Sequence, residues 1–250
     1  MIISFDHKFI FFANGKTGSS SIVKALSKFH PDDQGKYSIK AANLFGPKHI
    51  PPSLLKAMLP AHIWENSFKF VFVRNPYDWV TSQWFFNFQY NRKNPRLFYE
   101  PIRWLRRRYY PFRTINGRRR GELCKTGKFT SEDIDFIFNY LAEKYRSLPY
   151  RKGNLQISYV LDADDKVIVD YIGRFENLQN DFNQIIDQIG LDGIALPKEN
   201  VGRHRSFEDY FTEESAQRVY DLWRQDFEVL GYKKLNPDQV TDALNYNTSR

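Results

Sequence analysis

Two segments in which an apolar strand runs straight into a turn and a helix constrain this chain most. The first is Ile10-Phe11-Phe12-Ala13-Asn14-Gly15-Lys16-Thr17-Gly18-Ser19-Ser20-Ser21-Ile22. Backbone N–H groups at a helix start have no intrahelical partner and carry the positive end of the helix dipole, so a turn of small residues there is an anion cradle. Gly15, Gly18 and the serines keep the approach open, and Lys16 adds a point charge. The hydroxyls of Thr17, Ser19, Ser20 and Ser21 are further donors. A Walker-type nucleotide loop needs a glycine five residues before its Gly-Lys pair, and that position is Ile10, inside the strand, which argues against an ATP or GTP site of that kind. Taken alone, Gly-Lys-Thr-Gly is better described as an ordinary turn with a solvated lysine.

The second segment is Phe68-Lys69-Phe70-Val71-Phe72-Val73-Arg74-Asn75-Pro76-Tyr77-Asp78-Trp79-Val80-Thr81-Ser82. Pro76 suits the first turn of a helix, where a missing N–H costs nothing. Arg74 falls at the carboxyl end of the strand, the edge at which open α/β sheets bind ligands. Ser82 follows eight residues later, about two helical turns on. A guanidinium fork with a hydroxyl suits a second phosphate. Two strand-end anion sites point to a nucleotide phosphorylated at two separate positions.

The Lys-Thr-Gly-Ser-Ser-Ser run is similar to the 5′-phosphosulfate loop, and Arg-Asn-Pro-Tyr-Asp-Trp-Val-Thr-Ser to the 3′-phosphate motif, of sulfotransferases that use 3′-phosphoadenosine 5′-phosphosulfate (PAPS). The match is nearest to the group containing heparan sulfate 2-O-sulfotransferases, other carbohydrate sulfotransferases and many bacterial relatives. In order along the chain, Lys48-His49-Ile50-Pro51 resembles that group's Lys-His element. The stretch from Val169 to Phe182 resembles its strand-to-helix signature, and Asn200-Val201-Gly202-Arg203-His204 with Tyr220 to Tyr232 resembles its carboxyl end. Coverage runs from about residue 9 to residue 232. Two departures stand out: relatives often carry proline at the position of Gly15, and arginine at that of Trp79.

The resemblance implies in-line sulfuryl transfer from PAPS to an acceptor hydroxyl, leaving adenosine 3′,5′-bisphosphate and requiring no metal. Lys16, with the N–H groups from Gly18 to Ser20, would steady charge growing on the departing phosphate. His49 is the favoured base, with His204, between Arg203 and Arg205, second. Thr17, Gly18, Ser19, Ser20, Ser21, Arg74, Ser82 and Arg203 complete the expected cofactor contacts, Arg203 closing over the nucleotide. Arg174 and Glu176 read more simply as a structural ion pair, and Tyr77 and Trp79 as packing.

The net charge of +8 is unevenly spread: residues 87–128 hold thirteen Lys and Arg against two Glu, interleaved with Phe98, Tyr99, Trp104, Tyr109, Tyr110 and Phe112. This insertion is compatible with a solvated face, a nucleic-acid or anionic-surface patch, or an acceptor platform, and the resemblance favours the last. Alternatives to the transferase are a basic nucleic-acid or anionic-polymer binder and a nucleotide-dependent kinase. One cysteine, Cys124, excludes an intrachain disulfide. With no apolar run near 18 residues and strand-like sequence from Ile2 onward, a soluble, cytoplasmic, bacterial protein is expected. The acceptor is expected to be a carbohydrate or other hydroxyl compound.

The expected architecture is a single α/β domain over 1–250: a P-loop-like parallel sheet flanked by helices, with a basic, aromatic helical insertion and a polar tail from 236. Strands are expected at 2–5, 9–14, 68–73, 155–161 and 167–173, with a hairpin turn at Asp162-Ala163-Asp164-Asp165. Helices are expected at 19–29, 52–59, 76–90, 131–146, 177–189 and 212–229, with Ser131 and Thr212 as start signals.

Overall fold

Strands such as Phe9-Ile10-Phe11-Phe12 and Phe70-Val71-Phe72-Val73 are apolar on both faces, and a strand of that kind is stable only inside a sheet covered on both sides. The computed structural model describes residues 1–30, 50–90, 114–115, 118–119, 127–144, 156–197 and 205–236. Those residues fall into two compact units. The first draws on Met1–Asn75, Ala142–Arg203 and Gln225–Tyr232, the second on Pro76–Leu141, His204–Arg224 and Lys233–Arg250.

The first unit is built on four strands, β1 (Ile2–Ser4), β2 (Phe9–Phe12), β3 (Phe68–Val73) and β6 (Tyr171–Arg174), in spatial order β1-β2-β3-β6. β2, β3 and β6 run parallel, with Phe11 opposite Phe70 and Val73 opposite Arg174. β1 is antiparallel to β2, so the expected parallel sheet carries one antiparallel edge. Only four residues, Phe5 to Lys8, separate these strands, and so short a connection permits only an antiparallel pair. On one face Phe9, Phe11, Phe70 and Phe72 pack with Ile22 and Leu26 of α1 (Ser19–Leu26) and with Phe182 and Ile185 of α6 (Leu178–Gln188). On the other, Phe12 meets Trp64 of α3 (Ala61–Asn66), which follows α2 (Pro52–Met58). Lys69 is buried on that side, its Nζ donating to the carbonyls of Trp64 and Ser67 and lying 2.9 Å from the Asp170 carboxylate. Gly173 is required: a Cβ there would lie 2.5 Å from the Phe72 ring.

Residues 156–159 form a 3-10 turn, not the expected strand. The Asp226 carboxylate accepts the N–H groups of Gln156 (3.1 Å) and Ile157 (3.0 Å), capping a helical start where a strand was expected. A single bridge between Leu161 and Val167 is what remains of the expected hairpin, around a turn in which the Asp162 carboxylate accepts the Asp164 and Lys166 N–H groups. The strand expected at 167–173 is confined to β6.

The second unit holds α4 (Pro76–Trp84), which continues into a π-helical turn at Phe85–Tyr90, α5 (Ser131–Lys144, whose end belongs to the first unit) and α7 (Glu213–Leu222). Thr130, not Ser131, caps α5: its Oγ1 accepts the Asp133 N–H at 3.2 Å while Asp133 accepts the Thr130 N–H at 2.9 Å. Thr212 and Ser215 form the reciprocal box at the start of α7. The helix expected at 212–229 breaks at Trp223, and α8 (Arg224–Leu230) follows. Trp79 lies edge-on to Trp223 at 6.3 Å, and Tyr77 edge-on to Phe211 at 5.3 Å, so both Tyr77 and Trp79 are core residues. Of the basic insertion, Thr114–Ile115 (β4) and Arg118–Arg119 (β5) form an antiparallel ribbon where helix was expected, and most of the remainder lies outside the described residues.

Candidate active site

β2 ends at Phe12, and its continuation, Asn14 to Gly18, forms the turn that opens α1. Lys16 has φ 70°, a left-handed conformation that costs a non-glycine residue on the order of 1–3 kcal/mol and is kept only where the surroundings enforce it. Gly18, the N-cap, has φ 77°, and a Cβ there would come within 2.8 Å of Leu178 Cδ2. An added Cβ at Gly15 would meet nothing within 4 Å. The Gly18 carbonyl accepts the N–H groups of Ser21 (3.0 Å) and Ile22 (3.3 Å). The N–H groups from Thr17 to Ser20 meet no acceptor among the described residues. No acidic residue occupies the first turn of α1. Ser20 is exposed, whereas Ser19 and Ser21 are buried. Thr17 is fully buried and its hydroxyl donates to the Asn14 carbonyl at 3.0 Å, so the side chain expected to face an anion instead braces the turn.

Arg74 follows β3 and is 6% exposed. Its Nη1 donates to the Lys16 carbonyl at 3.1 Å, and its guanidinium lies 4.0 Å over the Phe175 ring. The two turns singled out in the sequence therefore meet. The Arg74 backbone is gripped by a residue that sequence reasoning missed: Gln156 Oε1 accepts the Arg74 N–H at 2.8 Å and Nε2 donates to the Arg74 carbonyl at 2.7 Å. Asn14 Nδ2 donates to Phe72 O at 3.1 Å and to Gln156 Oε1 at 3.4 Å. The neighbouring Asn75 N–H is held by Glu176 Oε1 at 2.5 Å. A lone glutamine within Leu155-Gln156-Ile157 was the available signal, since a polar group in an apolar run is buried only with partners.

Arg174 and Glu176 do not pair with one another. Glu176 accepts the Tyr232 hydroxyl at 3.1 Å, while Arg174 lies 4.6 Å over the Tyr232 ring and donates to Leu230 O at 2.7 Å. Burial and the Glu176 charge raise the Tyr232 phenol far above its ordinary range. Burial likewise pushes the Asp226 carboxyl up to about 7, against the two N–H bonds that favour its charged form. In the second unit, Ser82 is half-buried on α4, and burial holds the Tyr77 hydroxyl at about 12. His49, Arg203 and His204 lie outside the described residues. Of the other histidines, His7 packs edge-on against Phe29 at 5.0 Å, His30 Nδ1 lies 3.2 Å from the Ile3 backbone, and His62 is exposed on α3. Among the described residues no group of three or more His, Cys, Asp or Glu could hold a metal ion, and no helix is long and apolar enough to cross a membrane.

A lysine in a strained turn, N–H groups at a helix mouth that meet no acceptor among the described residues, and an adjoining arginine make an anion-attracting corner at the carboxyl ends of two parallel strands. No curated protein and no solved structure matches the chain. A sequence model of the sulfotransferase family matches residues 1–233, a span that contains both turns, and the chain belongs to that family, whose reaction is the transfer of a sulfuryl group to an acceptor.

Proposed function

We propose that the protein transfers the sulfuryl group of PAPS to a hydroxyl of a carbohydrate-like acceptor, as a relative of the heparan sulfate 2-O type on a P-loop-like scaffold. The observation that supports this most is the 3.1 Å bond from Arg74 to the Lys16 carbonyl, because one nucleotide phosphorylated at both ends needs both turns within its own length. In this proposal the N–H groups from Thr17 to Ser20 and the hydroxyls of Ser19, Ser20 and Ser21 receive the 5′-phosphosulfate. Lys16 neutralises charge as it develops on the departing phosphate oxygen, where an aimed donor is worth roughly 2.7–4 kcal/mol. The Arg74 guanidinium and Arg203 take the 3′-phosphate. His49 removes the acceptor proton, with His204 as the alternative base.

Calorimetry with adenosine 3′,5′-bisphosphate in the absence of magnesium tests the donor. Binding that is tighter than for Mg-ATP is expected, and a preference for Mg-ATP, or indifference to both, would overturn the proposal. Labelling of cell extract with radioactive PAPS identifies the acceptor. A labelled carbohydrate is expected, and label confined to other classes would remove that part.

A further inference from the structure

The hydrogen-bond ladders of the sheet stop short of both turns: the β2–β3 pairing ends at Phe12 and Val71, and the β3–β6 pairing at Val73 and Arg174. Asn14 and Arg74 thus lie just beyond the regular sheet, where backbone groups need other partners. Gln156 supplies them. It is 1% exposed, and its single amide accepts from the Arg74 N–H, donates to the Arg74 carbonyl and accepts from Asn14 Nδ2. Its own backbone is fastened to the buried Asp226.

We infer that Gln156 is a positioning residue for the 3′-phosphate end of the donor site, fixing the Arg74 backbone so that the guanidinium reaches the ligand from one place. This rests on the two-phosphate nucleotide proposed above. The effect is unequal on the two turns. Without the Gln156 amide, the Lys16 turn keeps the Asn14 bond to Phe72 O and the Thr17 bond to Asn14 O, whereas the Arg74 N–H and carbonyl lose both of their contacts with Gln156. A phosphate held by a guanidinium depends on fork geometry, so a loosened Arg74 weakens 3′-phosphate recognition more than 5′-phosphate recognition.

Calorimetry with adenosine 3′,5′-bisphosphate and with adenosine 5′-monophosphate tests this on wild type, Gln156→Met and the milder Gln156→Asn, which draws the amide back by one methylene. Circular dichroism checks that each variant is folded. Expected is a wild-type preference for the bisphosphate that falls by about tenfold or more in the variants, with 5′-monophosphate affinity changed by less than about threefold. A folded variant that keeps the wild-type preference, or loses both nucleotides in parallel, would refute the positioning role while leaving the nucleotide assignment standing. Failure of both variants to fold would make Gln156 structural and refute it too. A wild type with no preference for the bisphosphate would bring down the donor assignment itself.

Discussion

The Lys16 turn and the Arg74 turn occupy corresponding places, each after a parallel strand and before a helix, yet they are built in opposite ways. The Lys16 turn is a backbone device. Its left-handed residues, its N-cap glycine and its brace from Thr17 to Asn14 all lie within five residues, and what it presents is a row of N–H groups. The Arg74 turn is a side-chain device whose supports come from far along the chain: Gln156 at a separation of 82 residues and Glu176 at 101 from Asn75. The first takes its brace from its own segment, although Asn14 is also tied to Phe72 and Gly18 lies against Leu178. The second exists only when the sheet, the 3-10 turn at 156–159 and Asp226 are in place together.

If that contrast is right, substitutions at the two turns should separate chemistry from recognition. Lys16→Ala is expected to lower kcat by roughly 10²–10³-fold while changing bisphosphate affinity by less than about tenfold; steady-state kinetics with parallel calorimetry would show it, and an unchanged kcat would remove Lys16 from the leaving-group role. Arg74→Ala should cost about 10–100-fold in bisphosphate affinity and much less for adenosine 5′-monophosphate, and Arg74→Lys should not restore it, because an ammonium cannot reproduce the fork or the stacking on Phe175. Equal losses for both nucleotides would erase the distinction between the turns.

Stability measurements sharpen the same comparison. Gly18→Ala places a Cβ against Leu178 at a left-handed φ and is expected to cost about 1–3 kcal/mol in denaturant unfolding, part backbone strain and part crowding by α6. Asp226→Asn probes the remote root of the Arg74 turn through pH. With the Asp226 carboxyl near 7 when folded and near 3.8 when unfolded, the folded protein holds a proton that the unfolded chain has released between about pH 4 and 7. Its contribution to stability therefore falls as pH rises through that window, at up to about 1.4 kcal/mol per pH unit, and is lowest above pH 7. The stability of wild type relative to Asp226→Asn should decline over the same interval; a flat difference would show that the carboxyl does not titrate there.

Much of the first turn was legible because its determinants are neighbours. A strand, glycines, one lysine and serines at a helix start announce both conformation and ligand chemistry. Helix starts at residues 52, 76 and 213 were legible for the same reason, through proline or a capping residue. The second turn was legible only as an arginine at a strand end. Residues 156–159 were read as part of a strand over 155–161, and nothing nearby discloses that Asp226, 70 residues on, caps them. Thr17 was assigned to an anion on its hydroxyl alone, but its burial turns that hydroxyl toward Asn14.

Local chemistry thus indicated most of the strands and helices, the reading of one turn as an anion site, and which family the motifs belong to, since each rests on residues a few positions apart. Folding settled how Arg74 is held, which carboxyl burial pushes up, and which hydroxyls face inward. Those outcomes depend on hydrogen bonds between segments 70 to 101 residues apart, and on desolvation that no segment produces before it is packed against another.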